Sequence, residues 1–190
     1  MIKDILKKSQ REKSIIGIWV YGDEEGFWSG YVKALTDEFI IFQHFTGYGE
    51  PDGLIVEKIE NIQSIDFDDD YVKVMAYLLE HNAKMEQPEE IDVQIHHAHT
   101  WQTDVLEPFI GNKNRIIQIQ VNRDSFYSGF VEWVNDENVV LRLVGKNGED
   151  KGKSLFRTED INTIRINSKE NRRRMLLYKW RKATSTATVG

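Results

Sequence analysis

The sequence predicts a mainly β protein with two tandem five-stranded small barrels and flanking helices, the product of an internal duplication. The duplication is visible in the hexapeptide FWSGYV at 27–32, which returns as FYSGFV at 126–131, an offset of 99 positions. Each copy contains five short runs that are rich in β-branched and aromatic residues and are separated by turn residues. Five strands within about 55 residues suit a closed barrel, because an open sheet of that size would leave its edges exposed.

The register of the repeat extends well beyond the hexapeptide. At the same offset, 37–38 falls on 136–137, and both are Asp-Glu. Apolar positions near the end of each copy also coincide, with Ile62, Ile65 and Phe67 falling on Ile161, Ile164 and Ile166. Upstream, 15–18 matches 116–119 at an offset of 101, so the loops differ slightly in length. Chance is a poor explanation for agreement over about 60 positions.

Strands of the first copy are predicted at 15–21, 27–35, 39–45, 54–58 and 62–67. Segments rich in turn residues lie between them, at 22–26, 36–38 and 46–53. The second copy is predicted to repeat these strands in the same order.

Helices are predicted at both ends of each copy. The apolar residues of 71–85 recur at helical intervals after the last strand of the first copy. The acidic run 68–70 suits the start of this helix, because carboxylates cap free N–H groups and favour the helix dipole. In the second copy Ser168 is the predicted cap. Residues at helical spacing also precede the first strand: Ile2, Ile5 and Leu6.

The predicted domain organisation follows from these elements. An acidic first unit spans 1–86, a connector spans 87–103, a second unit with a basic C-terminal helix spans 104–182, and a flexible tail spans 183–190. The connector begins at Gln87 and Pro88 and has no counterpart within the second unit.

Charge is distributed unevenly along the chain. Residues 1–100 hold 9 basic and 20 acidic residues, a net of −11, whereas 101–190 hold 16 and 11, a net of +5. Acidic and basic halves can attract each other, other copies of the chain, or different partners. The total of −6 argues against a protein that coats nucleic acid without specificity.

Several classes of protein are excluded by composition. The chain has no cysteine, which rules out disulfides, thiolate metal sites and cysteine nucleophiles. No apolar run approaches the roughly 18 residues of a membrane span, and the first 13 residues lack a signal-peptide core. We therefore expect a cytoplasmic protein that makes no membrane contact.

Two stretches of the second copy carry a family resemblance. In 129–141 a strand glycine is followed by a loop with Asp and Asn and then by an apolar strand. In 156–164 an apolar residue and Arg157 precede a second apolar segment. These stretches resemble the two motifs of Sm-like (LSm and Hfq type) small barrels. The final Ile-x-x-Ile strand is also similar to that of SH3-like barrels.

The resemblance covers about 14–67 and 114–166 and implies an RNA pocket. In Sm proteins the Asn of the first motif and the Arg of the second line this pocket, and the matching positions are Asn138, or Asn135, and Arg157. The alternative is that the asparagine is a turn residue and the arginine a solvated strand-end charge. The sequence departs from the family at Thr158, where the family has glycine. The first copy carries Phe39 and Lys58 in place of the pair.

A basic run forms the second candidate site. Arg172, Arg173 and Arg174 lie within 165–182, which holds eight basic residues and one acidic residue. Three arginines at a helix start oppose the helix dipole, so an anionic group should offset them. Arginine pairs with carboxylate and phosphate alike. We expect carboxylate partners, from the acidic first unit or a second copy of the chain, with RNA or another protein as alternatives.

Histidines form the third candidate. On a strand, His97 and His99 would share a face, and with Asp92, Glu90 or His81 they could hold a metal. The favoured interpretation is that they and His96 are polar connector residues, with no metal site and no cofactor.

Motifs of catalysis do not occur in the sequence. The chain has no Gly-x-Ser-x-Gly, phosphate loop or dinucleotide fingerprint, so no enzymatic activity is expected. Strand aromatics such as Trp19 and Trp133 are expected in core and inter-barrel packing. The predicted function is a non-enzymatic binding protein, a regulatory or adaptor module, with a protein partner or self-association. The alternative is an Sm-like RNA-binding protein that uses the basic second unit.

Overall fold

A computed structural model of the chain describes residues 1–22, 27–86, 90–122 and 125–187. It divides into two compact units, Met1–Asn82 and Ala83–Gly190. Each unit contains a five-stranded antiparallel sheet with flanking helices, which confirms the predicted fold class. Residues 83–86, assigned above to the first unit, fall in the second.

The first unit begins with helix α1 (Ile2–Glu12) and ends with helix α2 (Asp70–His81). Between them lie β1 (Ile16–Val20), β2 (Phe27–Leu35), β3 (Phe39–Phe45), β4 (Pro51–Lys58) and β5 (Ile62–Asp66). The strand order is β4-β3-β2-β1-β5, which places β4 and β5 at the two ends of the sheet.

The second unit repeats this plan. Helix α3 (Trp101–Leu106) precedes the strands and helix α4 (Lys169–Ala187) follows them. The strands are β6 (Ile117–Val121), β7 (Ser125–Val134), β8 (Asn138–Val144), β9 (Asp150–Arg157) and β10 (Ile161–Ile166). Their order, β10-β6-β7-β8-β9, is the order of the first sheet read from its other end.

The duplication extends to the pairing of individual residues. Ile18 lies opposite Ile65 on β1 and β5, and Ile119 lies opposite Ile164 on β6 and β10. Likewise Gly30 pairs with His44, and Gly129 with Leu143. Even the register shifts recur, between Val32 and Ala34 in β2 and between Val131 and Trp133 in β7. The two sheets therefore share one register.

A glycine in the middle of each long strand permits a close backbone approach. A Cβ on Gly30 would lie 1.9 Å from the carbonyl oxygen of Gln43, and a Cβ on Gly129 would lie 2.2 Å from that of Arg142. Both contacts are with backbone, which cannot move away as a side chain can. The Ser-Gly motif that revealed the repeat is thus explained by packing within each sheet.

Each sheet packs one face into its own apolar core. Helix α1 contributes the fully buried Leu6 to a cluster with Ile18 and Phe42. Leu106 at the end of α3 joins a corresponding cluster in the second unit, with Ile119 and Leu141. The expectation that strand aromatics are core residues fails for Trp19 and Trp133, which are 37% and 45% exposed. Trp19 alternates with the buried Ile18 and Val20, whereas Trp133 follows the register shift in β7.

Side-chain caps begin both C-terminal helices, as predicted. The Asp69 carboxylate accepts a hydrogen bond from the Val72 N–H at 2.7 Å, and the Ser168 hydroxyl accepts one from the Asn171 N–H at 3.2 Å. Helix α4 continues through 183–187, part of the segment assigned above to a tail. Its Ser185 hydroxyl donates back to the Arg181 carbonyl at 2.8 Å, so the polar side chains there are compatible with a helix. Residues 188–190 lie outside the described part.

The predicted connector is partly built into the second unit. Residues 87–89 lie outside the described ranges, but α3 begins at Trp101, and the buried Gln102 amide donates to the Ile161 carbonyl at 3.2 Å. In the described part of the chain, no helix is both long and apolar enough to cross a membrane.

Candidate functional site

The two residues singled out by the Sm-like resemblance come together in the structure. Asn138 begins β8 and lies directly opposite Arg157 at the end of β9. The Arg157 side chain is exposed, and its guanidinium lies 3.6 Å from the Glu159 carboxylate. Phe39 and Lys58 are paired in the same way in the first unit.

The alternative candidate Asn135 is a turn residue. Its side-chain oxygen accepts hydrogen bonds from the backbone N–H groups of Glu137 at 3.0 Å and Asn138 at 2.7 Å. In the first unit the Thr36 hydroxyl accepts from Phe39 N–H at 2.9 Å in the corresponding turn. Asn135 therefore shapes the β7–β8 connection.

The arginine run donates to backbone carbonyls of the second unit. Its pairing with carboxylates of the first unit or of a second copy of the chain stays a prediction. Arg173 is 2% exposed and donates to the Lys146 carbonyl at 2.6 Å. Arg174 donates to the Val144 carbonyl at 2.9 Å and also pairs with Glu170 of its own helix at 2.9 Å. These contacts tie the start of α4 to the β8–β9 connection.

Arg172 has the same kind of contact. Its Nε donates to the Met85 carbonyl at 2.6 Å, and a terminal nitrogen donates to the Asn167 carbonyl. Carbonyl oxygens carry partial negative charge, so they offset the guanidinium charge as a carboxylate would, though more weakly. All these acceptors belong to the second unit.

The repeat contains a signal that could have revealed this role. At the offset of 99, Arg173 and Arg174 fall on Val74 and Met75, which are fully buried on α2. Arg173 therefore occupies the inward face of its helix, and Arg174 is only partly exposed.

Histidine backbone groups, rather than their rings, make the main contacts of the His96–His97 segment. The Asp104 carboxylate accepts from the N–H groups of His96 and His97, both at 2.7 Å. The hydrogen bond from His97 is the main reason that the pKa of Asp104 lies below its ordinary value. Across the described ranges, the His, Asp and Glu side chains form no group of three or more that could hold a metal ion.

The structure reveals a charged network on the second sheet that sequence reasoning missed. The Glu132 carboxylate on β7 accepts from Arg142 on β8 at 2.8 Å and from Lys153 on β9 at 2.5 Å. Arg142 also lies 3.5 Å from Asp150, which lies 3.8 Å from Lys182. The corresponding residues of the first unit cannot form this network: Lys33, Gln43, Leu54, Pro51 and Ala83.

A cavity of about 470 Å³ opens beside this network. Aromatic and charged side chains line it together, among them Phe130, Tyr178, Lys113, Glu132 and Arg142. The Phe130 and Tyr178 rings meet edge to face with centroids 5.0 Å apart. Because Glu132 and Arg142 neutralise each other, the cavity offers mixed polar and aromatic contacts.

The change Glu132→Gln is expected to remove a pH-dependent part of the stability. Hydrogen bonds from Lys153 and then Arg142 hold the pKa of Glu132 below its ordinary value. The carboxylate therefore stabilises the fold above about pH 4.3, the ordinary glutamate value, and this contribution is lost as the pH falls through the folded pKa. The Tm difference between parent and variant should shrink toward acid pH. A difference that stays constant from about pH 6 to pH 3 would contradict this.

The outermost strands β4 and β9 have the same pattern of exposure along their length but different chemistry. On β4, Leu54 is 52% exposed and Val56 is 65% exposed. On β9, Leu155 is 63% exposed, but the position corresponding to Leu54 is Lys153, which binds Glu132. The first unit thus presents a more apolar edge than the second.

Comparisons with known proteins give no match to this chain, whether with protein families, curated proteins or solved structures.

Proposed function

We propose that the chain is a non-enzymatic binding protein, a regulatory or adaptor module that acts through protein–protein contacts. The observation that carries this proposal is the exposed apolar edge of the first sheet at β4. Leu54 and Val56 lie two residues apart, so both side chains belong to the same face of the strand. The proline and the charged residues of β4 lie at its ends, at 51–52 and 57–58, and leave 53–56 without the charges that commonly protect an edge.

The edge suits an extended segment of another protein. A strand added beside β4 would pair with its outward N–H and C=O groups, and backbone pairing of this kind does not depend on the sequence of the added strand. Leu54 and Val56 would then select for apolar side chains at alternate positions of the partner. The inward-facing Ile55 packs against the core of the first unit, which holds the edge in place.

The alternative function, an Sm-like RNA-binding protein, is supported by the pairing of Asn138 with Arg157. Arg157 presents an exposed guanidinium at the end of its strand. The bonding of Arg172 and Arg173 to backbone carbonyls argues against a continuous basic surface, because their charges are turned inward.

Peptides selected from a random displayed library against the full chain test the proposal. We expect extended apolar peptides that slow the amide hydrogen exchange of 51–58. Val56→Lys should weaken their binding by about tenfold or more, because a lysine on an edge opposes strand addition. Leu155→Lys, the same kind of change at the matched position of β9, should leave binding unchanged.

Two outcomes would overturn this proposal. One is peptide binding that Val56→Lys leaves intact and that protects no amide of β4. The other is binding of an unstructured single-stranded RNA that Arg157→Ala abolishes while selection yields no β4-dependent peptide, which would favour the RNA alternative.

A further inference from the structure

Three aromatic rings and a carboxylate form a continuous surface on the outer face of the first sheet. The Trp19 and Phe27 rings have centroids 4.7 Å apart, and the Phe27 and Tyr71 rings 5.2 Å apart. The Trp19 indole N–H donates to the Asp66 carboxylate at 2.8 Å. We call Trp19, Phe27, Asp66 and Tyr71 the aromatic platform. Trp19 is 37% exposed, so the platform is open to contact.

Gly17 leaves room for Phe27, the central ring of the platform, because it has no side chain. A Cβ at this position would lie 2.5 Å from Cε2 of Phe27, so the ring lies directly on the backbone of β1. In the second unit the position belongs to Gln118, which pairs with Ser128 as Gly17 pairs with Ser29. Gln118 has a side chain where Gly17 has none, and its amide donates to the Ser128 hydroxyl at 3.3 Å.

The second unit keeps the central ring of the platform but has an arginine in place of the Asp66 carboxylate. Phe126 corresponds to Phe27, and Arg165 corresponds to Asp66, by the shared register of the sheets. The Arg165 guanidinium lies over the Phe126 ring, 5.0 Å from its centroid. The second unit therefore supplies a cation to this ring from its own chain.

The charge around the platform is reversed between the copies. Residues 66–70 contain four aspartates, whereas the corresponding 165–169 contain Arg165 and Lys169 and no acidic residue. Aromatic faces attract cations, and carboxylates at the rim strengthen that attraction. In the described part of the first unit, the ring surface thus lies beside an acidic segment, and Asp66 stands where the second unit has Arg165.

We propose that the aromatic platform binds the guanidinium group of an arginine carried by a protein partner. The guanidinium stacks on the Trp19 and Phe27 rings as Arg165 lies over Phe126. The aspartates of 66–70 supply the opposite charge. This site goes beyond the proposed edge contact, because β1 and β5 lie at the far end of the strand order from β4.

The test uses the full chain labelled with 15N and a capped glycine-rich peptide with two arginines. The indole N–H signal of Trp19, identified by its loss in Trp19→Phe, should shift progressively as peptide is added. A peptide with citrulline in place of arginine has nearly the same shape without the charge. We expect its Kd to be about tenfold larger, and added salt to weaken only the arginine peptide.

Three variants locate the binding. Asp66→Arg places in the first unit the residue that the second unit has, and should abolish the shift while the backbone spectrum stays dispersed. Trp133→Gln removes an exposed tryptophan elsewhere and should leave binding unchanged. Val56→Lys should also leave it unchanged, so failure of the edge proposal and failure of this one remain distinguishable.

Equal affinity for the arginine and citrulline peptides would overturn the proposal, as would absence of any shift at Trp19. So would arginine-peptide binding that Val56→Lys abolishes. The peptide comparison uses the unaltered chain, so it decides the question even if Asp66→Arg fails to fold.

Discussion

Replacing Gly30 by alanine is expected to lower the free energy of unfolding by about 3 kcal/mol or more. The new Cβ would lie 1.9 Å from the Gln43 carbonyl oxygen, and only a shift of β2 or β3 can relieve the overlap. Gly129→Ala should have a similar effect in the second unit, where the distance to the Arg142 carbonyl oxygen is 2.2 Å. Chemical denaturation measures both losses, and amide hydrogen exchange should show lost protection in the altered sheet.

Gly47→Ala is the matched control for these changes. No atom lies within 4 Å of a Cβ at Gly47, and the corresponding residue of the second unit is Lys146, a residue with a long side chain. The free energy of unfolding of Gly47→Ala should stay within about 0.5 kcal/mol of the parent value. If Gly30→Ala unfolds at the same denaturant concentration as Gly47→Ala, the close approach of β2 and β3 is wrong.

The triple change of Arg172, Arg173 and Arg174 to alanine is the second large expected effect. It removes the charged donors that bind the carbonyls of Met85, Lys146 and Val144. Hydrogen bonds from charged groups contribute roughly 1.5–3 kcal/mol each, so the loss should exceed about 3 kcal/mol even without full additivity.

Salt distinguishes this mechanism from pairing with carboxylates. Salt poorly screens the contacts that the buried Arg173 and the partly buried Arg172 and Arg174 make with carbonyls, so the stability deficit should persist at about 0.5 M salt. Arg157→Ala removes an exposed arginine and should leave the free energy of unfolding nearly unchanged. A deficit that disappears in high salt, or a triple variant that melts like Arg157→Ala, would contradict the structure.

The strands were predictable wherever turn residues bound an apolar run. β2 and β3 have the predicted bounds, because Thr36–Glu38 separates two runs of apolar residues. The start of β4 was missed, since Pro51 and Gly53 indicate a loop. Proline is tolerated there because an edge strand needs hydrogen bonds on only one side.

The candidate sites were harder to predict, because they depend on register. Glu132 lies diagonally across from Arg142, which pairs with Phe130, and no local pattern in the sequence shows which charged residues of β7 and β8 come together. Arginine usually lies on the surface, so the burial of Arg173 could be inferred only from its correspondence to Val74 in the first copy. The exposure of Trp19 follows from the alternation of side chains along β1, whereas the apolar character of tryptophan suggests a buried position.

The space that Gly17 leaves for the Phe27 ring also affects which strands can pair while the chain folds. Tandem copies with one shared register are prone to exchange strands as they emerge and fold. A hybrid sheet with β6 in the place of β1 would bring the side chain of Gln118 to a position where even a Cβ lies 2.5 Å from the Phe27 ring. The divergence of the copies at this one pair therefore disfavours the hybrid sheet relative to the native one.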